Sequence, residues 1–463
     1  MQPAYARYHD AGHNVTRIAR TRLPNRSSST LWDVAVQDGR IASIEAHDSS
    51  LLTTKSLGTL DAGGRLIAPS LCHAHIHLDK CFLLQHPKFS DLQVESGDFN
   101  EAMDMTSEAK SRFDEDDLLE RGRQLINESM QHGVTAMRAF VEVDGVVQLK
   151  CLHAGLKLRD EFKARCEVQI CAFAQLPLYS GEDDGTTVRI LMTTAASYDE
   201  VEVLGSTPYV EDNDAKSKEN VRWITQLALE HQKQLDLHLD YFLDEDKQPL
   251  IWETLKIIKS LKWLEEGGRQ IAFGHCSRLT RFRPEEWESL KQDIGELPIS
   301  FVGLPSSDLF MMKTAEGVRG TLPVVELINT YSLNAAIAVN NVGNAFTPQG
   351  NCDPLSIAQL GVALYHAGTQ KDAELLYVGR RQRYHTRALT NATMQETVSC
   401  RAKAVIGHDP TTLSLEPGQP ADFVLFDTTD SNWRSRKSIA EVVYDAGHIR
   451  ETVYRGRVVA SSA

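Results

Sequence analysis

The chain has 463 residues, 42% of them hydrophobic, too long for one small domain and ample for a large buried core. Its 49 basic and 63 acidic residues give a formal charge of −14, spread along the chain, which argues against a nucleic-acid or anionic-membrane partner. No apolar run approaches the roughly 18 residues of a spanning helix, no basic region and apolar stretch follow Met1-Gln2-Pro3-Ala4-Tyr5, and the eight cysteines form no C-x-x-C pair, so a soluble, cytoplasmic protein with reduced thiols is expected.

Residues 14–67 read as short strands and turns. Two alternating runs within 33–44 meet at Asp38-Gly39, a strong hairpin signal. The apolar stretch 66–71 reads as a buried strand that runs into Cys72-His73-Ala74-His75-Ile76-His77-Leu78-Asp79-Lys80. An insertion over 83–115, rich in Asp, Ser and Met, is a candidate lid. Segments 117–126 and 220–229 have helical periodicity. Candidate strands end near His77, Glu142, Gln175, Ser206, His238, His275, Leu304 and Asn341, and after the first gap their spacing is that of a βα unit. Beyond 405 the β texture returns, with a turn at Glu416-Pro417-Gly418, a strand over 421–427 and a hairpin over 452–459. The pattern predicts an α/β protein: a (β/α)8 TIM barrel over 68–404, active at the carboxyl ends of its strands, with a small composite β domain from both termini, 14–67 plus 405–463.

His75 and His77 are one residue apart, so on a strand their rings share a face and can hold one metal ion. His238 and His275 fall at the ends of the fifth and sixth predicted strands, where the barrel requires further site residues. His132, His231 and His366 fall in helical stretches and read as ordinary histidines, and Cys72 and Cys81 as small buried thiols. Asp240, Glu142, Asp144, Asp308 and Asp353 are carboxylates near predicted strand ends, and Lys80 can face the pocket.

These residues carry a family resemblance over nearly the whole length. The chain resembles the amidohydrolase superfamily, and within it the cytosine deaminase-like branch, in His75-Ile76-His77-Leu78-Asp79-Lys80, Leu237-His238-Leu239-Asp240, Gly274-His275, Cys171-Ala172-Phe173-Ala174-Gln175 and the segment 201–208. The resemblance implies one divalent metal ion, Zn or Fe, held by His75, His77 and His238, with His275 near the reacting water or substrate and Gln175 binding substrate. It also implies substrate contacts from the segment that contains Asp308. The segment 201–208 ends without a lysine, so a bridging carbamylated lysine is not expected. Two positions depart from the pattern. Tyr241 stands where relatives place an acid/base Glu, and Asn340, or Asn341 with a one-residue shift, where they place a metal-binding Asp. Asn ligates through its carbonyl but is no base at neutral pH.

The reading is a metal-dependent hydrolase of a non-peptide C–N bond, acting on a small molecule through metal-activated water. His275 is the first candidate base and Asp240 the second; Asn340 completes the catalytic set, and Gln175, Tyr241, Asp308 and Lys80 contact substrate. A homo-oligomer is compatible with this. One alternative is an impaired barrel that only binds a ligand, because the two acids are missing. Another is a metal-free aldolase or isomerase with Lys80 as its active lysine, which leaves the histidines unexplained.

Overall fold

The structure is a computed structural model that describes residues 12–24, 26–27, 29–49, 57–377, 397–427 and 436–462. Strands β1 (Arg17–Thr21), β2 (Trp32–Gln37), β3 (Arg40–Ala46) and β4 (Thr59–Asp61) form a sheet in the order β3-β2-β1-β4. The β2–β3 hairpin turns at Asp38-Gly39, both with positive φ (51° and 72°), as a two-residue turn between twisted strands requires.

Strand β5 (Leu66–Pro69) does not run on into the histidine segment. It pairs antiparallel with β14 (Phe423–Phe426) from the other end of the chain, and the barrel starts afresh at β6 (Leu71–His77). The expected single strand over 66–71 is therefore two strands in different sheets. Buried Ser70 pins the crossing: its hydroxyl meets Thr135 at 2.6 Å and accepts from the Lys403 ammonium at 2.8 Å, while its carbonyl accepts from the Ser399 hydroxyl at 2.8 Å. Polar partners at that residue take up groups that neither sheet pairs.

The barrel is an eight-stranded parallel sheet: β6, β7 (Val134–Glu142), β8 (Glu167–Ala174), β9 (Val201–Ser206), β10 (Gln234–Leu239), β11 (Ile271–His275), β12 (Ile299–Gly303) and β13 (Ala335–Ile337). Every residue of β6, β7, β10, β11 and β12 is buried, as expected where helices cover a parallel sheet. Closure runs through Asn340, whose carbonyl accepts from His77 N at 2.8 Å and whose N–H reaches the His75 carbonyl at 3.2 Å. Low in the barrel, Arg138 donates to Asp236 (2.6 Å), Gln169 (2.8 Å) and Gln234 (2.5 Å), so that layer is a polar plug. Phe140, Cys171, Phe173 and Val203 form a separate buried cluster.

Helix α1 (Phe99–Ser111) lies in the insertion. It is followed by α2 (Glu115–Gln131), α3 (Lys150–Phe162), α4 (Thr186–Ala196), α5 (Asp214–Glu230), α6 (Ile251–Ser260), α7 (Pro284–Ile294) and α8 (Pro305–Met311). The capping box of α2 pairs Asp114 and Asp117 reciprocally.

At the carboxyl end of the chain, β14, β15 (Arg450–Tyr454) and β16 (Arg457–Ser461) form a sheet with β5. The terminal segments share an apolar cluster, with Ile18, Val34 and Ile67 from one end against Phe423, Leu425 and Val453 from the other. A short helix, Ile439–Tyr444, interrupts the β texture read for this region. Ser438 and Glu441 cap it reciprocally, a signal present in the sequence. Among the described residues no helix is long and apolar enough to cross a membrane.

Candidate active site

β6 carries His75 and His77 on one face, β10 brings His238 and β11 ends in His275. One ligand atom from each of His75, His77 and His238 lies within 4.8 Å of the others. The His75 and His238 ring centroids are 4.6 Å apart, and those of His77 and His238 5.3 Å. All three side chains are buried. Burial, then neighbouring cationic and imidazole groups, pushes each well below the ordinary histidine range, so they are neutral rings with lone pairs to offer.

Both ring nitrogens of His75, Nδ1 of His77, Nε2 of His238 and Oδ1 of Asn340 are buried without a hydrogen-bond partner among the described residues. Buried polar atoms are normally paired, and so many orphans at the end of one barrel fit a divalent cation. Gly274 gives His75 its room: a Cβ there would stand 3.1 Å from His75 Cε1 and 3.3 Å from Nδ1.

Asn340, rather than Asn341, offers a free carbonyl oxygen. Its amide nitrogen donates to Ser307 Oγ at 2.8 Å, and Ser307 meets Thr347 Oγ1 at 2.6 Å, which leaves Oδ1 unpartnered. Asn341 Oδ1 is taken by Asn344 at 2.8 Å.

His275 Nδ1 lies 2.7 Å from Asp308 Oδ1. Against a carboxylate acceptor Nδ1 carries the proton, so Nε2 is free to accept one. Asp308 Oδ2 is held by Thr321 at 2.6 Å and by the Leu304 N–H at 3.3 Å. Asp308 is fully buried and absent from the cavity wall. Read from sequence as a substrate contact, it instead stands behind His275 and orients the ring.

Asp240 also departs from the expectation. Its two oxygens accept the Leu250 and Ile251 N–H groups at 2.7 and 3.1 Å, at the start of α6, and it lines a separate groove with Trp252 and Lys247. Two-residue spacing from His238 suggested a shared face, but β10 ends at Leu239 and Asp240 has φ 49°, so the alternation stops before it. Asp353 is remote too: it caps the helix Pro354–Leu364 and pairs with Arg450. His275 and Asn340 share Asp240's left-handed backbone (φ 65° and 69°), a conformation that costs on the order of 1–2 kcal/mol per non-glycine residue.

The cavity wall includes His77, His238, His275, Asn340, Asn341, Lys80, Gln175 and Tyr241. The Tyr241 ring lies on His275 with centroids 3.8 Å apart, and burial raises its hydroxyl well above the ordinary range, so it stays a protonated phenol. Lys80 Nζ donates to Glu142 at 2.8 Å and Gln175 at 3.3 Å. Burial opposes ionisation of Glu142, but Lys110 and Lys80 outweigh it and hold the carboxyl well below its usual range. Both oxygens of Glu142 are taken by lysines, and Asp144 accepts from Lys110 through Oδ2 and from the Val146 and Val147 N–H groups through Oδ1.

Phe99, Tyr209 and Phe346 complete the wall and were not singled out from the sequence, although Phe99 lies in the candidate lid. A glycine inside a buried strand, directly before a site histidine, was the available signal for Gly274.

No protein-family model matches this chain. It is 22% identical over 418 residues to the N-isopropylammelide isopropyl amidohydrolase of Pseudomonas sp. (strain ADP), covering 87% of this chain and 89% of that protein. Among solved structures, 5-methylcytosine deaminase from Klebsiella pneumoniae, liganded with 5-fluorocytosine, superposes with a TM-score of 0.79 at 21% identity, covering 96% of this chain and 98% of that one. The N-isopropylammelide isopropylaminohydrolase from Burkholderia multivorans ATCC 17616 gives a TM-score of 0.74 at 21% identity, with the same coverage. These solved structures share the fold of this chain, and the sequence relative resembles it over most of the length of both.

Proposed function

We propose that the protein is a metal-dependent hydrolase of a non-peptide C–N bond in a small amide, amidine or amino-substituted nitrogen heterocycle. The observation that carries this is the convergence of unpartnered, buried His75, His77 and His238 beside the His275–Asp308 pair at the carboxyl end of the barrel. The names of its relatives point the same way, since one acts on N-isopropylammelide and another was crystallised with 5-fluorocytosine.

His75, His77 and His238 would hold one ion, Zn or Fe, with the Asn340 carbonyl beside them. When bound, such an ion activates water and polarises the bond under attack. The protein's own groups do the rest. His275 takes the proton from the attacking water through Nε2, while Asp308 keeps the ring in the required tautomer and steadies the imidazolium. The water oxygen bonds to the substrate carbon, the C–N bond breaks, and His275 returns the proton to the departing nitrogen. Lys80 and Gln175 bind the polar edge of the substrate. Tyr241, in place of the relatives' Glu, packs on His275 and offers an aromatic wall, not a carboxylate.

Substitution of the two acids does not favour the impaired-barrel alternative, because a base backed by a carboxylate is present in His275–Asp308. The aldolase alternative weakens because Lys80 is engaged by Glu142 and Gln175. The shared apolar cluster supports 14–67 plus 405–463 as one composite domain, and eight free, buried cysteines suit a reducing, cytoplasmic setting.

The test is metal analysis of protein purified without chelator, followed by turnover of a panel of cyclic amides, amidines and aminopyrimidines or aminotriazines. About one ion per chain and ammonia or amine release from a panel member are expected. Metal-free protein would overturn the reading. Metal-replete protein inert on the whole panel would transfer support to the ligand-binding alternative.

A further inference from the structure

The cavity is small. It has about 20 Å³ of room, against the roughly 10–15 Å³ that one water needs, so a ring-sized substrate enters only if part of the wall moves. Helix α1 is the part of the wall that comes from the insertion. Its first residue, Phe99, lines the cavity and meets Phe346, Tyr241 and Tyr209 with centroids 5.9, 6.2 and 6.5 Å away. Its last turn carries Lys110, whose side chain is only 5% exposed.

Lys110 Nζ reaches Glu142 Oε2 at 2.6 Å and also bonds Asp144. The other oxygen of Glu142 holds Lys80 at 2.8 Å. Glu142 and Asp144 are each 1% exposed and Lys80 2%. The covering helix and the cavity cation thus share one carboxylate, one oxygen each. The four groups balance with α1 docked. With α1 withdrawn, Lys80 faces Glu142 and Asp144 alone, and the second oxygen of Glu142 becomes free to draw its ammonium away from Gln175, which lies at the longer 3.3 Å. Asp79 lies beside this cluster and accepts the Glu142 N–H at 2.6 Å.

We propose that Lys110 is a positioning residue: by occupying one oxygen of Glu142 it sets Lys80 against the cavity, so this ammonium is presented to substrate only when the covering helix is docked. The proposal rests on the reading of Lys80 as a substrate contact. It gives the insertion a chemical role beyond shielding, because closure assembles the polar edge of the pocket. Substrates with a carbonyl or anionic oxygen facing Lys80 would then favour the closed state.

The test uses full-length, metal-replete protein. Amide hydrogen exchange of α1 and acetylation of individual lysines by acetic anhydride, both followed by mass spectrometry, are compared in wild type, Lys110→Met and Lys110→Arg. Lys403, 4% exposed and bonded to Ser70 at the Ser70 crossing between the sheets, reports global opening. In Lys110→Met, α1 should exchange and Lys80 should acetylate at least tenfold faster, with Lys403 unchanged, and Lys110→Arg should recover most of the protection. If Lys110→Met does not fold, Asp144→Asn should give the same changes at smaller size. Unchanged protection of α1 and Lys80, a parallel rise at Lys403, or no recovery with arginine would each overturn the proposal. None of these readouts needs a substrate, so an inert panel leaves the result standing, and the metal content of wild type reports separately on the site itself.

Discussion

Among the described residues two histidine-containing clusters have ligand atoms within 4.8 Å of one another, and they differ in what else touches them. His75, His77 and His238 sit at the carboxyl end of the barrel with nitrogens that no group among the described residues satisfies. His132, Asp353 and His448 gather near the amino end, where α2 leads into β7. There Arg450 grips both oxygens of Asp353, at 2.8 and 2.7 Å, and also bonds the His132 carbonyl at 2.7 Å. His448 is exposed. A cation at that second cluster would meet a guanidinium already in place, and the carboxylate's charge is already balanced. Proximity of ligand atoms therefore does not by itself make a metal site: the second cluster leaves one buried nitrogen unpaired, His132 Nδ1, against four nitrogens and Asn340 Oδ1 at the first, and its carboxylate is already held by a guanidinium.

The largest effects should come from breaking the first cluster. His238→Ala removes one of three nitrogens, and we expect metal content by elemental analysis to fall from about one per chain to near zero, with activity lost. Retention of a full equivalent would remove His238 from the ligand set. Next is His275→Asn, which should keep the metal and lower kcat by roughly 10²–10⁴, the usual range for a positioned base. A variant as fast as wild type would exclude His275 as that base.

Between these lie the groups that shape the cluster. Gly274→Ala places a methyl 3.1 Å from His75 Cε1. We expect weaker metal binding, by roughly the 10–100-fold typical of disturbed outer-shell support, read from chelator competition. Wild-type affinity in that variant would show that His75 has slack. Asp240→Ala should act on stability alone, leaving two N–H groups at the start of α6 without acceptors at about 1–3 kcal/mol for each that stays buried. Thermal or urea unfolding reads the loss. A large fall in turnover per bound metal would restore Asp240 as a candidate base.

How legible this was in the sequence depended on the distance over which each signal acts. The barrel strands could be read because parallel strands buried on both faces are short apolar runs at βα spacing, and the histidine pair because period-two geometry is local. The break at Ser70 could not, since one apolar run serves two sheets and only partners far along the chain, Thr135, Ser399 and Lys403, decide where it divides. Asp308 and Asp240 were misassigned for related reasons. Both follow strand ends, but whether a carboxylate there turns to a histidine, a helix start or the cavity is set by φ at one or two residues and by packing the sequence does not display. Lys110 lies inside the insertion read as a candidate lid, and nothing local marks it as the residue that reaches Glu142.

The smallest expected effect is the sharpest control on the comparison. His448→Ala removes an exposed member of the second cluster, whose Arg450–Asp353 pair does not depend on it. Surface substitutions away from such features usually change stability by no more than about 0.5 kcal/mol. Metal content, unfolding midpoint and activity should therefore match wild type within error. If instead the variant loses an equivalent of metal that wild type holds, the amino-end cluster binds a cation despite Arg450. The rule that separates the two clusters would then fail, because charge balance by an arginine would not have been enough to close a site whose ligand atoms are near one another.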